Sequence, residues 1–202
     1  MNSKIKVSGI ILSAGLSGRM NSFKPLLKTQ NGDTFIKTII KKLSTVCEEI
    51  IVVCGYKSDD VIANISSMPE YSKCHVVVNN EYEKGMFSSL KCGVEHANEE
   101  WILYHFVDQP GLPTDFYAEM KLLISEKYNW IQPVKENKRG HPILFDIVVK
   151  NAIRDSDDNS NLRIINKDSK ISKLYFESST DLIFQDIDTE NDYRMIDNNV
   201  GD

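Results

Sequence analysis

Short runs of β-branched and aromatic residues alternate along this chain with segments of helical periodicity. That alternation restricts the fold more than any other feature. The runs cover residues 7–12, 50–53, 76–78, 102–107, 130–134 and 142–145. They are almost continuously apolar, as strands covered on both faces must be. Between them, residues 34–46 place Phe35, Ile39, Ile40 and Leu43 on one helical face, and residues 86–97 and 114–127 repeat the pattern. Asp33 and Thr114 stand where the first and third of these helices need N-caps. The stripe of Phe35, Ile39 and Ile40 is core. Strand and helix in repeated succession imply an α/β fold of three layers, a mostly parallel sheet with helices on both faces.

The last third is less regular. Residues 154–161 are polar and read as a loop, and 162–166 as a short helix. Residues 171–176 and 182–187 read as strands, the first near the sheet edge. No repeat, low-complexity tract or linker divides the chain, so residues 1–202 are expected to form a single domain.

Composition excludes several classes of function. Lys and Arg number 24 against 29 Asp and Glu, a net charge of -5, which argues against a nucleic-acid partner. A small anionic ligand needs only a few placed cations and stays open. No apolar run approaches the ~20 residues of a membrane helix. The first six residues carry no secretory pattern. Cys47, Cys54, Cys74 and Cys92 form no C-x-x-C pair and read as buried free thiols of a reducing, cytoplasmic compartment. His75, His96 and His105 read as structural.

In an open α/β sheet, ligands bind outside the carboxyl ends of the strands. After the first strand comes Ser13-Ala14-Gly15-Leu16-Ser17-Gly18-Arg19-Met20-Asn21-Ser22-Phe23-Lys24-Pro25. Its small residues let backbone N–H groups approach an anion, and Arg19 and Lys24 can neutralise phosphate oxygens. Neither G-x-x-x-x-G-K-[ST] nor G-x-G-x-x-G is present, which argues against P-loop and dinucleotide-binding enzymes. Asp108 closes the fourth apolar run, and Asp188 follows the last one. Carboxylates there can hold Mg²⁺, which needs only one or two of them beside phosphate oxygens. Asp186 is the rival of Asp188, and Asp192 is suited to supporting a final helix.

Leu12-Ser13-Ala14-Gly15-Leu16-Ser17-Gly18-Arg19-Met20, with Lys24-Pro25-Leu26-Leu27, resembles the signature L-A-A-G-x-S-x-R-M-G-x-x-K of the Rossmann-like nucleotidyltransferases. Within them it is most similar to the molybdenum cofactor cytidylyltransferases. Ser13 and Asn21 stand where Ala and Gly are usual. The resemblance continues through Val78-Asn79-Asn80, Gly85-Met86-Phe87-Ser88-Ser89-Leu90, Asp108-Gln109-Pro110, Gly140-His141-Pro142-Ile143-Leu144-Phe145 and Asp186-Ile187-Asp188-Thr189. Over residues 158–163, where that family often has G-D-x-G-A-R, only Arg163 matches.

The resemblance implies a metal-dependent transfer of CMP from CTP to molybdopterin, with release of pyrophosphate. A molybdenum hydroxylase is then a possible client, and Mg²⁺ or Mn²⁺ the cofactor. It implies that Leu12, Ser13, Ala14, Gly15, Ser17, Asn79, Gly85 and Ser89 bind nucleotide, that Asp108 and Asp188 form the metal pair, and that His141 faces the acceptor. Lys24 would act on the α-phosphate and Arg19 on the β- and γ-phosphates. Read from the residues alone, Asn79 and Asn80 serve equally as turn residues, Ser89 as a helix-end hydroxyl and His141 as the start of a strand. Two alternatives share these features. One is a nucleotidyltransferase for a sugar or polyol phosphate. The other is a non-catalytic carrier that delivers finished cofactor to a hydroxylase.

Overall fold

The computed structural model describes residues 5–16, 22–157 and 159–198. Among the described residues, eight strands form one sheet. Strands β1 (Val7–Ser13), β2 (Glu49–Cys54), β3 (Cys74–Val78) and β4 (Trp101–Phe106) run parallel in the order β3-β2-β1-β4. Beyond β4 lies β7 (Ile143–Phe145), antiparallel to both β4 and β5 (Trp130–Lys135). Strand β6 (Lys138–Arg139) forms a tight hairpin with β5, and β8 (Lys173–Glu177) pairs parallel to β5 on its other side. The mostly parallel, open sheet expected from the sequence is therefore present, with the 171–176 run at its edge.

The pleat divides the core. On one face, Val7, Ile11, Ile50, Val52 and Leu103 pack under α1 (Phe35–Leu43), α2 (Ser58–Ile65) and α4 (Thr114–Leu122). On the other, Ile10, Leu12, Ile51, Val53, Ile102 and Tyr104 pack under α3 (Met86–His96), α5 (Ile147–Arg154) and α6 (Leu162–Asn166). Alternate residues of β1 thus serve opposite layers, as the period of two requires. Helix α3 lies close to the sheet: a Cβ on Gly93 would come within 2.9 Å of Ile10 Cγ2 and 3.0 Å of Val53 Cγ2. The chain ends in α7 (Glu190–Asn198).

Several sequence expectations shift. The N-cap of α1 is Thr34, whose Oγ accepts the Lys37 N–H, while Asp33 pairs with Lys41 on the surface. Pro113 takes the cap position of α4, with Thr114 as its first helical residue. Helices α2 and α5 were not evident from periodicity. Asp146 caps α5 through the Val148 and Val149 N–H groups. Residues 182–187 are not a strand. Asp181–Phe184 is a 3-10 turn, and its backbone bonds run to loops: the His141 N–H donates to Ile183 O, and the Ile187 N–H to Asp108 O. Ile183 and Ile187 are buried, which explains the apolar run without a ladder. All four cysteines are free, but Cys74 and Cys92 are only partly buried.

Candidate active site

The site gathers where β1 and β4 end. From Ser13, Ala14 and Gly15 carry the chain across the carboxyl edge of the sheet. The Ala14 carbonyl accepts the Tyr56 N–H at 3.2 Å, tying this loop to the end of β2. Gly55 makes that approach possible: a Cβ there would lie 2.8 Å from Ala14 O and 2.7 Å from the Tyr82 ring. Ser17 and Arg19, expected to bind nucleotide, lie outside the described residues.

Lys24 begins a 3-10 turn, Lys24–Leu26, whose first helical positions hold Pro25. The turn aims Lys24 inward, where it is buried. Its Nζ lies 3.0 Å from Asp108 Oδ2 and 2.6 Å from Asp188 Oδ1. Burial opposes charge on this ammonium, but its bonds to Asp188 and Asp108 outweigh that and hold its pKa above the ordinary lysine value. The two carboxylates come from chain segments 80 residues apart, yet the Ile187 N–H donates to Asp108 O at 3.0 Å and fixes one segment against the other. Asp188 is further held by a capping box at α7. Asp192 Oδ2 accepts from the Asp188 N–H at 3.2 Å and the Thr189 N–H at 2.8 Å, while Thr189 Oγ1 accepts the Asp192 N–H. Asp192 Oδ2 also accepts the Thr189 hydroxyl at 2.8 Å, and this bond, followed by the one from the Thr189 N–H, pulls the Asp192 carboxyl below its usual range.

Asp186 is differently employed. It accepts 2.6 Å from Gln109 Nε2, and burial, followed by the charge of Asp108, raises its pKa. Since the segment is no strand, Asp186 and Asp188 share no face of one. Asp188 is the one on Lys24. Lys42, unremarked in the sequence, donates to the carbonyls of Pro110 and Leu112, 2.6 Å each, and pins the turn that follows Asp108.

A cleft of about 280 Å³ opens beside these groups. Leu12, Ser13, Ala14, Gly15, Gly85 and Ser89 line it together with Lys24 and Asp108, so the geometry brings most of the expected residues together. Tyr82, Met86 and Phe106 also line it and were missed. Phe106 closes β4 two residues before Asp108, which is a usable signal; Tyr82 offers none. Asn79 does not line the cleft. Its Nδ2 donates to Ser88 Oγ at 3.1 Å and Ser89 Oγ at 3.0 Å, and its Oδ1 accepts the Glu81 N–H at 2.9 Å. Asn79 thus holds the hydroxyls of Ser88 and Ser89. His141 packs its ring against Phe106, 4.3 Å between centroids, and burial lowers its pKa to about 4. A neutral imidazole there exerts no charge on a ligand.

Asp108 and Asp188 converge on a single cationic point, and this is the observation against which a divalent ion is judged. Among the described residues no cluster of three or more His, Cys, Asp or Glu side chains is present. Two carboxylates suit a cation that completes its shell with phosphate oxygens and water, as Mg²⁺ does. The donor set fits Mg²⁺ or Mn²⁺ and not a closed structural zinc site.

This sheet, with its loops gathered over the ends of β1 and β4, is that of the Rossmann-like nucleotidyltransferases. A nucleotidyl transferase from Methanothermobacter superposes with a TM-score of 0.79 over 96% of this chain and 97% of that one, at 22% identity. Residues 9–171 match the MobA-like NTP transferase domain, and the chain belongs to that family of nucleotidyltransferases. It is 30% identical over 135 residues to the molybdenum cofactor cytidylyltransferase of Escherichia coli strain K12, covering 67% of each chain. It is 26% identical over 140 residues to a probable molybdenum cofactor guanylyltransferase of Bacillus cytotoxicus, covering 68% of this chain and 66% of that protein. No helix among the described residues is long and apolar enough to cross a membrane.

Proposed function

We propose that this nucleotidyltransferase transfers CMP from CTP to the terminal phosphate of molybdopterin and releases pyrophosphate. The observation that carries this reading is the convergence of Lys24, Asp108 and Asp188 at the mouth of a cleft walled by Ser13, Ala14 and Gly15. A phosphate acceptor is already anionic, so its attack on the α-phosphorus requires no general base. The work is positioning and charge stabilisation. Lys24 would donate to the α-phosphate as charge builds on it, and Arg19 would hold the β- and γ-phosphates. Ser89 Oγ accepts from Asn79, which leaves its own proton for the base or ribose. Asp108 and Asp188 would hold Mg²⁺ or Mn²⁺, which supplies charge neutralisation for the triphosphate.

Cytosine is favoured by Ala14, which is buried and lines the cleft where a Gly would leave it wider. The free thiols suit work in the cytoplasm, with a molybdenum hydroxylase as client of the product. A sugar or polyol phosphate acceptor is the second reading. It is favoured by residues 158–163, which keep only Arg163 of the cytidylyltransferase pattern. The test is a matrix of four nucleoside triphosphates against molybdopterin and a set of sugar phosphates, read as pyrophosphate with and without Mg²⁺. Metal-dependent release with CTP and molybdopterin is expected. Release only with a sugar phosphate selects the second reading, and no release with any pair refutes both.

A further inference from the structure

Tyr104 lies in the middle of β4, with Ile10 of β1 on one side and Ile143 of β7 on the other. It is wholly buried, and its hydroxyl has no hydrogen-bond partner among the described residues. Its neighbours on the same sheet face, Ile102 and Phe106, are apolar, so phenylalanine would satisfy the core equally well. An unpaired buried hydroxyl costs stability and gives the fold nothing in return. The ring is held in place: its centroid is 5.0 Å from that of Phe106 and 5.9 Å from that of His141, both edge-on. A fixed ring with an unpaired donor is a group waiting for a partner the protein does not supply.

The surroundings indicate what that partner is. Tyr104 forms part of the wall of a second cavity, of about 370 Å³, between α3 and α6. Phe87, Leu90 and Leu162 supply apolar walls, one of them aromatic, and Asn159 and Ser160 bring an amide and a hydroxyl. Met86 lines both this cavity and the cleft beside Lys24, so the two are neighbours across one side chain. Among the described residues, Lys84 is the only cationic side chain lining the second cavity, and it is engaged 2.6 Å from Glu81 Oε1. Such a lining suits a neutral planar ring with hydrogen-bonding edges and does not suit a phosphate.

We propose that this cavity seats the heterocyclic ring of the acceptor and that the Tyr104 hydroxyl hydrogen-bonds that ring. The acceptor's phosphate then reaches past Met86 toward the nucleotide. The proposal rests on the function given above and assigns the part of the acceptor that the nucleotide cleft does not hold.

Tyr104→Phe tests it. The variant should melt at the same temperature as the parent or higher, because it loses an unpaired hydroxyl and no bond. Its KM for molybdopterin should rise about 10-fold, the loss of one buried hydrogen bond, while kcat and the KM for CTP stay within about twofold. Binding of free 6-hydroxymethylpterin, followed by its own fluorescence, should weaken by a similar factor. Transfer to molybdopterin with unchanged KM and unchanged pterin binding in Tyr104→Phe overturns the assignment of the cavity and leaves the function standing. A lower melting temperature with those constants unchanged also overturns it, by giving the hydroxyl a structural role. Transfer only to a sugar phosphate, with no pterin bound by the wild type, overturns both the function and the ring assignment.

Discussion

Lys24→Met should bind a divalent cation more tightly than the wild type while transferring nucleotide far more slowly. In the free protein the Lys24 ammonium sits 3.0 Å from Asp108 and 2.6 Å from Asp188, at the point toward which both carboxylates are aimed. A divalent ion arriving without nucleotide must therefore displace that ammonium. The carboxylates are 24% and 32% exposed, so solvent screens both contacts. Each charge-assisted bond is worth ~1.5–3 kcal/mol when well shielded, and screening leaves about 1–3 kcal/mol for the pair. Removing the ammonium should thus tighten Mn²⁺ binding by about 10- to 100-fold. The same change removes a preorganised positive charge from the α-phosphate and should raise the barrier by about 3 kcal/mol, a loss of roughly two orders of magnitude in turnover. Mn²⁺ affinity can be read from the free-ion signal in electron paramagnetic resonance without nucleotide, and turnover from pyrophosphate release. Equal or weaker Mn²⁺ binding in Lys24→Met would refute the displacement argument. Near-normal turnover in a folded variant would remove Lys24 from the mechanism.

Asp108→Asn and Asp188→Asn should each abolish metal-dependent turnover, whereas Asp186→Asn, whose partner is Gln109, should retain a substantial part of it. A more damaging Asp186→Asn in parallel assays would reverse the assignment. Ala14→Gly should narrow the preference for CTP over GTP without abolishing transfer, so kcat/KM for both nucleotides is compared between wild type and variant; an unchanged ratio rejects the role of the methyl group. Acid should destabilise the fold earlier than carboxylate titration alone would cause. Burial holds His105 at about 3 and His141 at about 4, with His105 Nε2 on the Tyr117 hydroxyl, Nδ1 on Phe106 O and Lys42 adding repulsion. Both folded values lie below the unfolded one, so protons favour the unfolded chain. The stability these residues contribute is complete above about pH 6.5 and declines by up to ~1.4 kcal/mol per pH unit for each as pH falls toward those values. Urea unfolding at pH 7.5 and pH 5.0 checks this. A midpoint that does not move, or a shift that His105→Gln leaves as large as before, contradicts it.

The parallel half of the sheet was readable because its strands are covered on both sides, so β1, β2 and β4 appear as almost continuously apolar runs. Helix α2 was not, since it buries only Val61 and Ile65 and shows no stripe to count. The run at 182–187 imitates a strand because Ile183 and Ile187 are core residues, yet only the folded chain reveals that its backbone bonds go to His141 and Asp108. Within the site, Lys24 was legible as a cation in the small-residue loop after the first apolar run, and Asp108 and Asp188 as carboxylates that follow apolar runs. Their meeting was not, because 80 residues of chain separate the two carboxylates. The role of Asn79 depends on two serines nine and ten positions later, brought back by the loop before α3. Tyr104 gave no signal in an apolar run, since pattern alone cannot tell a buried phenol from a buried phenylalanine.

Incubation of the wild-type protein with CTP labelled on its α-phosphate, molybdopterin and Mg²⁺, with the labelled product resolved and weighed by mass spectrometry, bears on the central claim most directly. A labelled adduct of CMP with molybdopterin, formed in step with pyrophosphate and much more slowly when α-labelled GTP replaces CTP, is the expected result. Label that stays in CTP with molybdopterin but enters a CMP adduct when a sugar phosphate replaces it, or a GMP adduct formed as readily as the CMP one, would contradict the claim.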